Sequence, residues 1–237
     1  MTSHARTLVE ADIASVPVTV PSYLEETYWW AYVHPRAVKL FERQWLVNLI
    51  LWGNFSRLRD AALDEMGASI VGRTLQVACV YGDLTTRLWE RIAPGGSLDV
   101  VDVLAVQLHN LRQKLPATAP VTLLQRDSAS LGIEDATYDQ ALLFFLLHEQ
   151  PEAVRRRTLA EAVRVVKPGG KIVILDYHRP RPWNALAFAF RPLLSRLEPY
   201  ALDLWRHDIS DWLPPDAGCL GKVTCFGGLY QKLVITR

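Results

Sequence analysis

Five short apolar runs, at residues 74–80, 98–103, 121–126, 139–147 and 171–177, alternate with stretches at 83–93, 104–115 and 151–166. In those intervening stretches the apolar residues recur every three or four positions. Short apolar runs bounded by turn residues predict buried strands, and the longer spacing predicts amphipathic helices. Their alternation predicts βαβ units, hence an α/β fold on a mostly parallel sheet with right-handed crossovers. The helix over 151–166 carries the clearest signal. Pro151 suits a first helical position, and Val154, Leu159, Ala162, Val163 and Val166 form one face with arginines and glutamates opposite. KPGG at 167–170 then stops the helix and turns the chain into the next strand. Two further strands, near 222–227 and 229–236, meet at Gly227-Gly228, which predicts a hairpin and an antiparallel last strand.

The flanks follow different rules. Residues 1–22 have no period and hold two prolines near their end, so they read as a flexible N-terminal tail before one domain over 23–237. Residues 23–66 are dense in aromatics with no strand alternation and predict a helical lid. Residues 180–216 are aromatic, basic and broken by prolines, and predict a helical cap inserted before the last strands. The most apolar run, WLVNLILW at 45–52, is too short to span a bilayer, and no signal-peptide pattern opens the chain.

With 237 residues, half of them hydrophobic, the chain can bury a full core. A net charge of +1 leaves no electrostatic footprint for nucleic acid, so none is expected as a partner. Cys79, Cys219 and Cys225 form no C-x-x-C pair and read as free thiols of a reducing cytoplasm. All eight tryptophans lie outside the expected strands, which hints at an apolar ligand or an interface.

In an open α/β sheet, ligands sit beyond the C-terminal ends of the strands. Four such ends carry polar residues. The first is Gln76-Val-Ala78-Cys-Val80-Tyr81-Gly82-Asp83, where Gly82 permits a tight turn into a helix. The second is Asp102-Val103, 20 residues after Gly82, where a carboxylate suits the two hydroxyls of a ribose. The third is Asp127-Ser128, placed for an adenine amino group. The fourth follows LLFFLLHE and brings Phe145, His148 and Glu149 to the cleft. The G-x-G-x-x-G of dinucleotide enzymes is absent.

The order TLQVACVYGD, SLDVVD, VTLLQRD, LLFFLLHEQ, VVKPGGKIVILDYH resembles the class I S-adenosylmethionine-dependent methyltransferases, particularly the quinone-biosynthesis C-methyltransferases. More narrowly, YLEETYWWAYVHPRAV, VACVYGD and FFLLHEQP resemble the rhodoquinone-biosynthesis family RquA, over nearly all the chain from Tyr23 onward. The resemblance implies a Rossmann-like class I methyltransferase fold with helical caps at both ends. It also implies an unusual reaction, replacement of a ring methoxy group of ubiquinone by an amino group. S-adenosylmethionine is then the amino donor, and Mn²⁺ is implied with it. A ubiquinone-type lipid substrate implies a membrane surface, with the protein cytoplasmic and peripheral at the inner membrane face.

The superfamily's acidic residue followed by glycine at alternate positions is here Gln76, Ala78, Val80 and Gly82. Val80 and Tyr81 add bulk where the cofactor's methionine portion would lie, and Gln76 removes a charge that would keep its amine protonated. Gln76, Ala78, Val80, Tyr81, Gly82, Asp102, Val103, Asp127, Ser128 and Phe145 are therefore the expected cofactor contacts. Tyr81, Asp83, His148 and Glu149 are the catalytic candidates, and Asp83, Asp176 and His178 the candidate metal ligands. Each has a bland alternative: Asp83 as a helix cap, His148 and Glu149 as a bridge from strand to helix, His178 as a loop residue. Tyr28, Trp29, Tyr32 and His34, with Tyr177 and His178, are the expected substrate contacts. The stripe Trp183, Leu186, Ala187, Phe190, Leu193, Leu194 and Leu197 either packs the cap on the sheet or lines a channel for an isoprenoid tail. Two rival functions remain: an ordinary quinone or phenol C-methyltransferase with a degenerate loop, and a non-catalytic scaffold.

Overall fold

The computed structural model describes residues 13–15, 18–28 and 44–237. Trp29, Trp30, Tyr32 and His34 lie outside the described residues. Among the described residues the strands, in chain order, are β1 (Ile13–Ser15), β2 (Arg73–Val77), β3 (Ser97–Asp102), β4 (Val121–Gln125), β5 (Tyr138–Phe144), β6 (Val166–Tyr177), β7 (Gly218–Cys225) and β8 (Tyr230–Thr236). They form one sheet in the order β1-β4-β3-β2-β5-β6-β8-β7. All pairings are parallel except those of β8 with β6 and β7. This is the expected parallel sheet with an antiparallel last strand. β1 is new. Three residues of the expected tail pair with the open edge of β4, and three residues are too few to show a period.

The chain runs outward from β2 through β3 to β4, then returns to the other side of β2 as β5 and β6. The reversal leaves a crevice over the C-terminal ends of β2 and β5, where ligands bind in such sheets. Helices cover both faces, so the central strands are buried throughout: Leu75, Val77, Val100, Leu142 and Val173 have almost no exposed surface.

The helices are α1 (Ser22–Tyr28), α2 (Gln44–Ile50), α3 (Phe55–Met66), α4 (Leu84–Trp89), α5 (Ala105–Lys114), α6 (Glu152–Val165), α7 (Leu186–Leu197) and α8 (Asp203–Arg206). On α3 the buried residues Phe55, Leu58, Arg59, Ala62, Leu63 and Met66 follow the helical spacing. α6 departs from its expected face. It buries Arg155 and Thr158, while Val154 stays half-buried. Arg155 is fully buried because its guanidinium donates to the carbonyls of Leu147 (2.9 Å), Gln150 (2.8 Å) and Tyr200 (3.1 Å). Its charge also lies 4.3 Å from the centre of the Trp212 ring. One arginine thus ties the cap, with its turns Pro199–Leu202 and Ile209–Trp212, to the end of β5.

The expected stop at KPGG is a bulge inside β6, where the register against β5 jumps between Tyr138↔Val166 and Gln140↔Lys171. In the cap, only Phe190 and Leu194 of the apolar stripe are buried; Trp183, Leu193 and Leu197 are exposed, and so is Phe188. Among the described residues, no helix is long and apolar enough to cross a membrane.

Candidate active site

A cavity of about 660 Å³ opens over the crevice, a size usual for small-molecule sites. Its floor is the loop after β2. There Ala78 has φ +74°, a conformation suited to glycine, so the backbone keeps a glycine path that the sequence has lost. Two bonds hold it: the Ala78 N–H donates to the Val101 carbonyl (2.8 Å), and the Gln76 amide donates to the Ala78 carbonyl (2.9 Å). Gln76 is fully buried below the loop and its Oε1 has no partner among the described residues. It braces the turn and does not line the cavity, whereas Ala78, Cys79, Val80 and Tyr81 do. Gly82 takes φ +86°, and a Cβ there would sit 2.9 Å from Cζ of Phe55. The Tyr81 hydroxyl accepts from Gln107 on α5 (2.8 Å).

Asp102 ends β3 and faces the cavity with Val103. Its Oδ2 accepts from the Cys79 N–H and its Oδ1 from the Leu104 N–H, both at 2.8 Å. Burial pushes its carboxyl up to about 6, against the pull of those backbone donors. A carboxylate has about four acceptor positions, so both oxygens retain capacity. Asp127 and Ser128 lie alongside, with Arg126 and Gln150. Gln150 donates to Ser128 (3.0 Å) and is almost fully buried, yet among the described residues its Oε1 lacks a partner, as does Nε of Arg126. α1 brings Tyr23 over this end, beside Gln150. Neither Tyr23 nor Gln150 stood out in the sequence, because a tyrosine in a lid and a glutamine in a turn match no motif.

Aromatic rings form the other end. Phe145, itself at φ +51°, meets Tyr177 edge-on at 5.3 Å and His148 at 5.8 Å. Tyr177 also stacks on Tyr230 at 5.7 Å. Tyr28 from α1, Trp52, and Phe190, Leu193, Leu194 and Leu197 of the cap complete this chamber. In the cap stripe, Phe190 and Leu194 pack inward and also border the cavity.

Between the two ends sits His148. Its Nδ1 lies 2.9 Å from Oδ1 of Asp176, an acceptor, so Nδ1 carries a proton and Nε2 faces away. Burial disfavours the charged ring, but the carboxylates of Asp176, Glu198 and Glu149 outweigh it and push its pKa up to about 9. Nε2 stands 3.5 Å from Glu198 and 3.7 Å from Glu149. Glu198, at the end of α7, lines the cavity and was missed; a lone glutamate between cap helices carries no sequence signal.

Other candidates sit elsewhere. Asp83 occupies the position before α4, but its side chain makes no helix-capping bond. It accepts from Arg59 at 2.7 and 2.8 Å and from Arg87 at 2.6 Å. Burial pushes its carboxyl up, and the two arginines outweigh that and hold it below the usual range. It pins α3 to the loop and does not line the cavity. Asp176 is fully buried and accepts from the N–H groups of Leu147, His148 and Tyr177 as well as from the imidazole. His178 donates from Nδ1 to the Gly228 carbonyl (2.8 Å) and is not part of the cavity wall. Asp83, Asp176 and His178 thus do not converge. Among the described residues, no three His, Cys, Asp or Glu side chains are arranged to hold an ion. These residues do not fit the implied Mn²⁺.

A sheet of this order, with one antiparallel strand and a cavity at its reversal point, defines a Rossmann-like class I methyltransferase fold. The chain belongs to the ubiE/COQ5 methyltransferase family, whose profile matches residues 43–211. It is similar to the ubiquinone/menaquinone biosynthesis C-methyltransferase UbiE of Pseudomonas savastanoi, 28% identical over 162 residues, covering 64% of this chain and 62% of that one. The UbiE of Pseudomonas paraeruginosa is 27% identical over 165 residues with the same coverage. The chain thus spans less than two thirds of the length of these relatives. Among solved structures, human N-acetylserotonin methyltransferase in complex with SAM superposes with a TM-score of 0.61 at 16% identity, over 92% of this chain and 60% of that one. The PH0226 protein of Pyrococcus horikoshii gives 0.60 at 13% identity, over 92% and 99%.

Proposed function

We propose that this protein is an S-adenosylmethionine-dependent transferase that modifies the ring of an isoprenoid quinone or quinol. One observation carries the reading: a single cavity joins the acidic strand ends Asp102 and Asp127 to an aromatic, apolar chamber. The partnerless Oε1 of Gln150 and Nε of Arg126 suit a nucleoside at the acidic end. Asp102 would hold the ribose, Asp127 and Ser128 the adenine, and the 78–82 loop the methionine portion. When bound, S-adenosylmethionine supplies a transferable methyl group on a sulfonium. Phe145 and Tyr177 would stack the quinone ring. A cationic His148 would donate from Nε2 to a ring oxygen carrying negative charge, fixed in direction by Asp176.

Methyl transfer to a ring carbon is the reading that the family and the UbiE relatives support. A second reading is favoured by the rebuilt loop. Val80 and Tyr81 crowd the floor where glycines would leave space, which fits the narrower resemblance to rhodoquinone biosynthesis and transfer of an amino group in place of a ring methoxy. Leu49, Trp52 and Leu193 line the cavity and stay exposed, and the same two segments also expose Trp45, Trp183 and Phe188. Residues 44–58 and 179–197 contain five arginines and no acidic residue, which suits an anionic membrane surface on the cytoplasmic side.

The test is to supply a short-chain quinone, and separately its quinol, with S-adenosylmethionine labelled with ¹³C at the methyl and ¹⁵N at the amine, and weigh the product. A ¹³C-methylated ring establishes methyl transfer. A ring bearing ¹⁵N, with methanol released, establishes amino transfer. An unaltered quinone and quinol with donor demonstrably bound sinks both.

A further inference from the structure

The carboxylate of Glu198 has no role in the reading above, although it lies in the cavity wall beside the imidazole of His148. Its Oε2 is buried, stands 3.5 Å from Nε2 of His148, and has no hydrogen-bond partner among the described residues. A partnerless acceptor next to a donor just out of reach leaves a gap that a bridging hydroxyl would fill. Glu198 is also the more open end of the chain of groups: its side chain is 21% exposed, against 5% for His148 and 1% for Asp176.

We propose that Glu198, delivered by the C-terminal cap, is the general base that takes the proton from the ring hydroxyl of a quinol. The inference rests on the quinone-ring reading above. The hydroxyl O–H bond breaks, the proton goes to Oε2 of Glu198, and the electron pair stays on the ring oxygen beside the His148 cation. The proton then leaves by the exposed side of Glu198. The electrostatic surroundings support the assignment. His148 and Glu149 face Glu198 from the turn after β5, Asp176 and Tyr177 from β6, Tyr28 from α1 and Tyr230 from β8. Burial raises the carboxyl of Glu198, His148 lowers it and Asp176 raises it, for a net rise above the ordinary carboxylate range. The same chain gives the cap a task beyond shielding: the base is in place only when α7 is docked.

Two measurements test this. The first needs no substrate: the imidazole of His148 is titrated by NMR in the wild type and in Glu198→Gln. The geometry predicts a lower pKa for His148 in the variant, by about one unit, with the spectrum otherwise dispersed as in the wild type. An unchanged titration overturns the proposal whatever the reaction proves to be. The second is the pH profile of turnover with a short-chain quinol. Glu198→Gln should lower kcat on the order of a hundredfold, leave KM nearly unchanged and abolish the acid limb, while Glu198→Asp recovers part of the rate. A variant that keeps both rate and limb overturns the assignment. If the wild type turns over no quinol while the NMR coupling is present, the proposed function falls and takes the base with it.

Discussion

Replacing Gly82 by alanine should destabilise the protein through two separable effects. The residue sits at φ +86°, where an L side chain costs about 1–2 kcal/mol. The new Cβ would also lie 2.9 Å from Cζ and 3.1 Å from Cε1 of Phe55. That ring is fully buried and packs edge-on against Phe144 at 6.3 Å, so it has no room to swing aside. Overpacking of this kind costs about 1–3 kcal/mol. The sum is about 2–5 kcal/mol, or a fall in Tm of roughly 5–15 °C for a chain of this size. Urea denaturation should show a lower midpoint at unchanged slope. A double-mutant cycle with Phe55→Leu isolates the clash, because leucine lacks the atoms that collide. Phe55→Leu alone costs on the order of 1–2 kcal/mol, and the double variant should be more stable than the sum of the two by about 1–3 kcal/mol. If the two variants simply add, within about 0.5 kcal/mol, the ring does not set the requirement for glycine and the steric half of the argument is wrong.

The converse change, Ala78→Gly, should raise stability by about 1 kcal/mol, because it puts glycine where φ is already +74°; a thermal melt checks it. Arg155→Met keeps the volume and removes three carbonyl partners together with the stacking on Trp212. It should cost about 3 kcal/mol, with protease cleavage appearing first in residues 199–212. For pH, His148 has a folded pKa near 9, above the ordinary value of about 6.5. Its stabilisation, on the order of 3 kcal/mol, is therefore fully present below about pH 6.5 and lost as pH rises through about 9. The urea midpoint should fall across that window in the wild type and stay flatter in His148→Gln; equal slopes would refute the ion pairing.

The sheet was legible because buried strands leave continuous apolar runs and parallel units repeat them at regular intervals. β2 to β5 emerge within two or three residues of their expected bounds, and the hairpin glycines place β7 and β8. What stayed hidden depends on tertiary partners. Arg155 reads as a surface arginine until the carbonyls of Leu147, Gln150 and Tyr200 are folded around it. Asp83 reads as a base or a cap until Arg59 arrives from α3, 24 residues away in sequence. Gln76 does leave the acid missing, as its letter says, but the side chain is spent bracing Ala78 and not facing the cavity. Glu198 had no pattern to betray it. The strand ends that line the cavity, Asp102 and Asp127, were readable because topology alone places them.

The insertion of β8 between β6 and β7 has a consequence for how the molecule comes into being on the ribosome. β7 is made before β8 but touches the sheet only through it. Until residues 230–236 emerge, β6 presents an unpaired, apolar edge, a template for pairing with another nascent chain. The same delay falls on the chamber wall, since Tyr177 gains its stacked neighbour Tyr230 only at that moment. Birth of the protein is thus nearly all-or-none: the sheet edge is sealed and the aromatic pocket completed by one late strand.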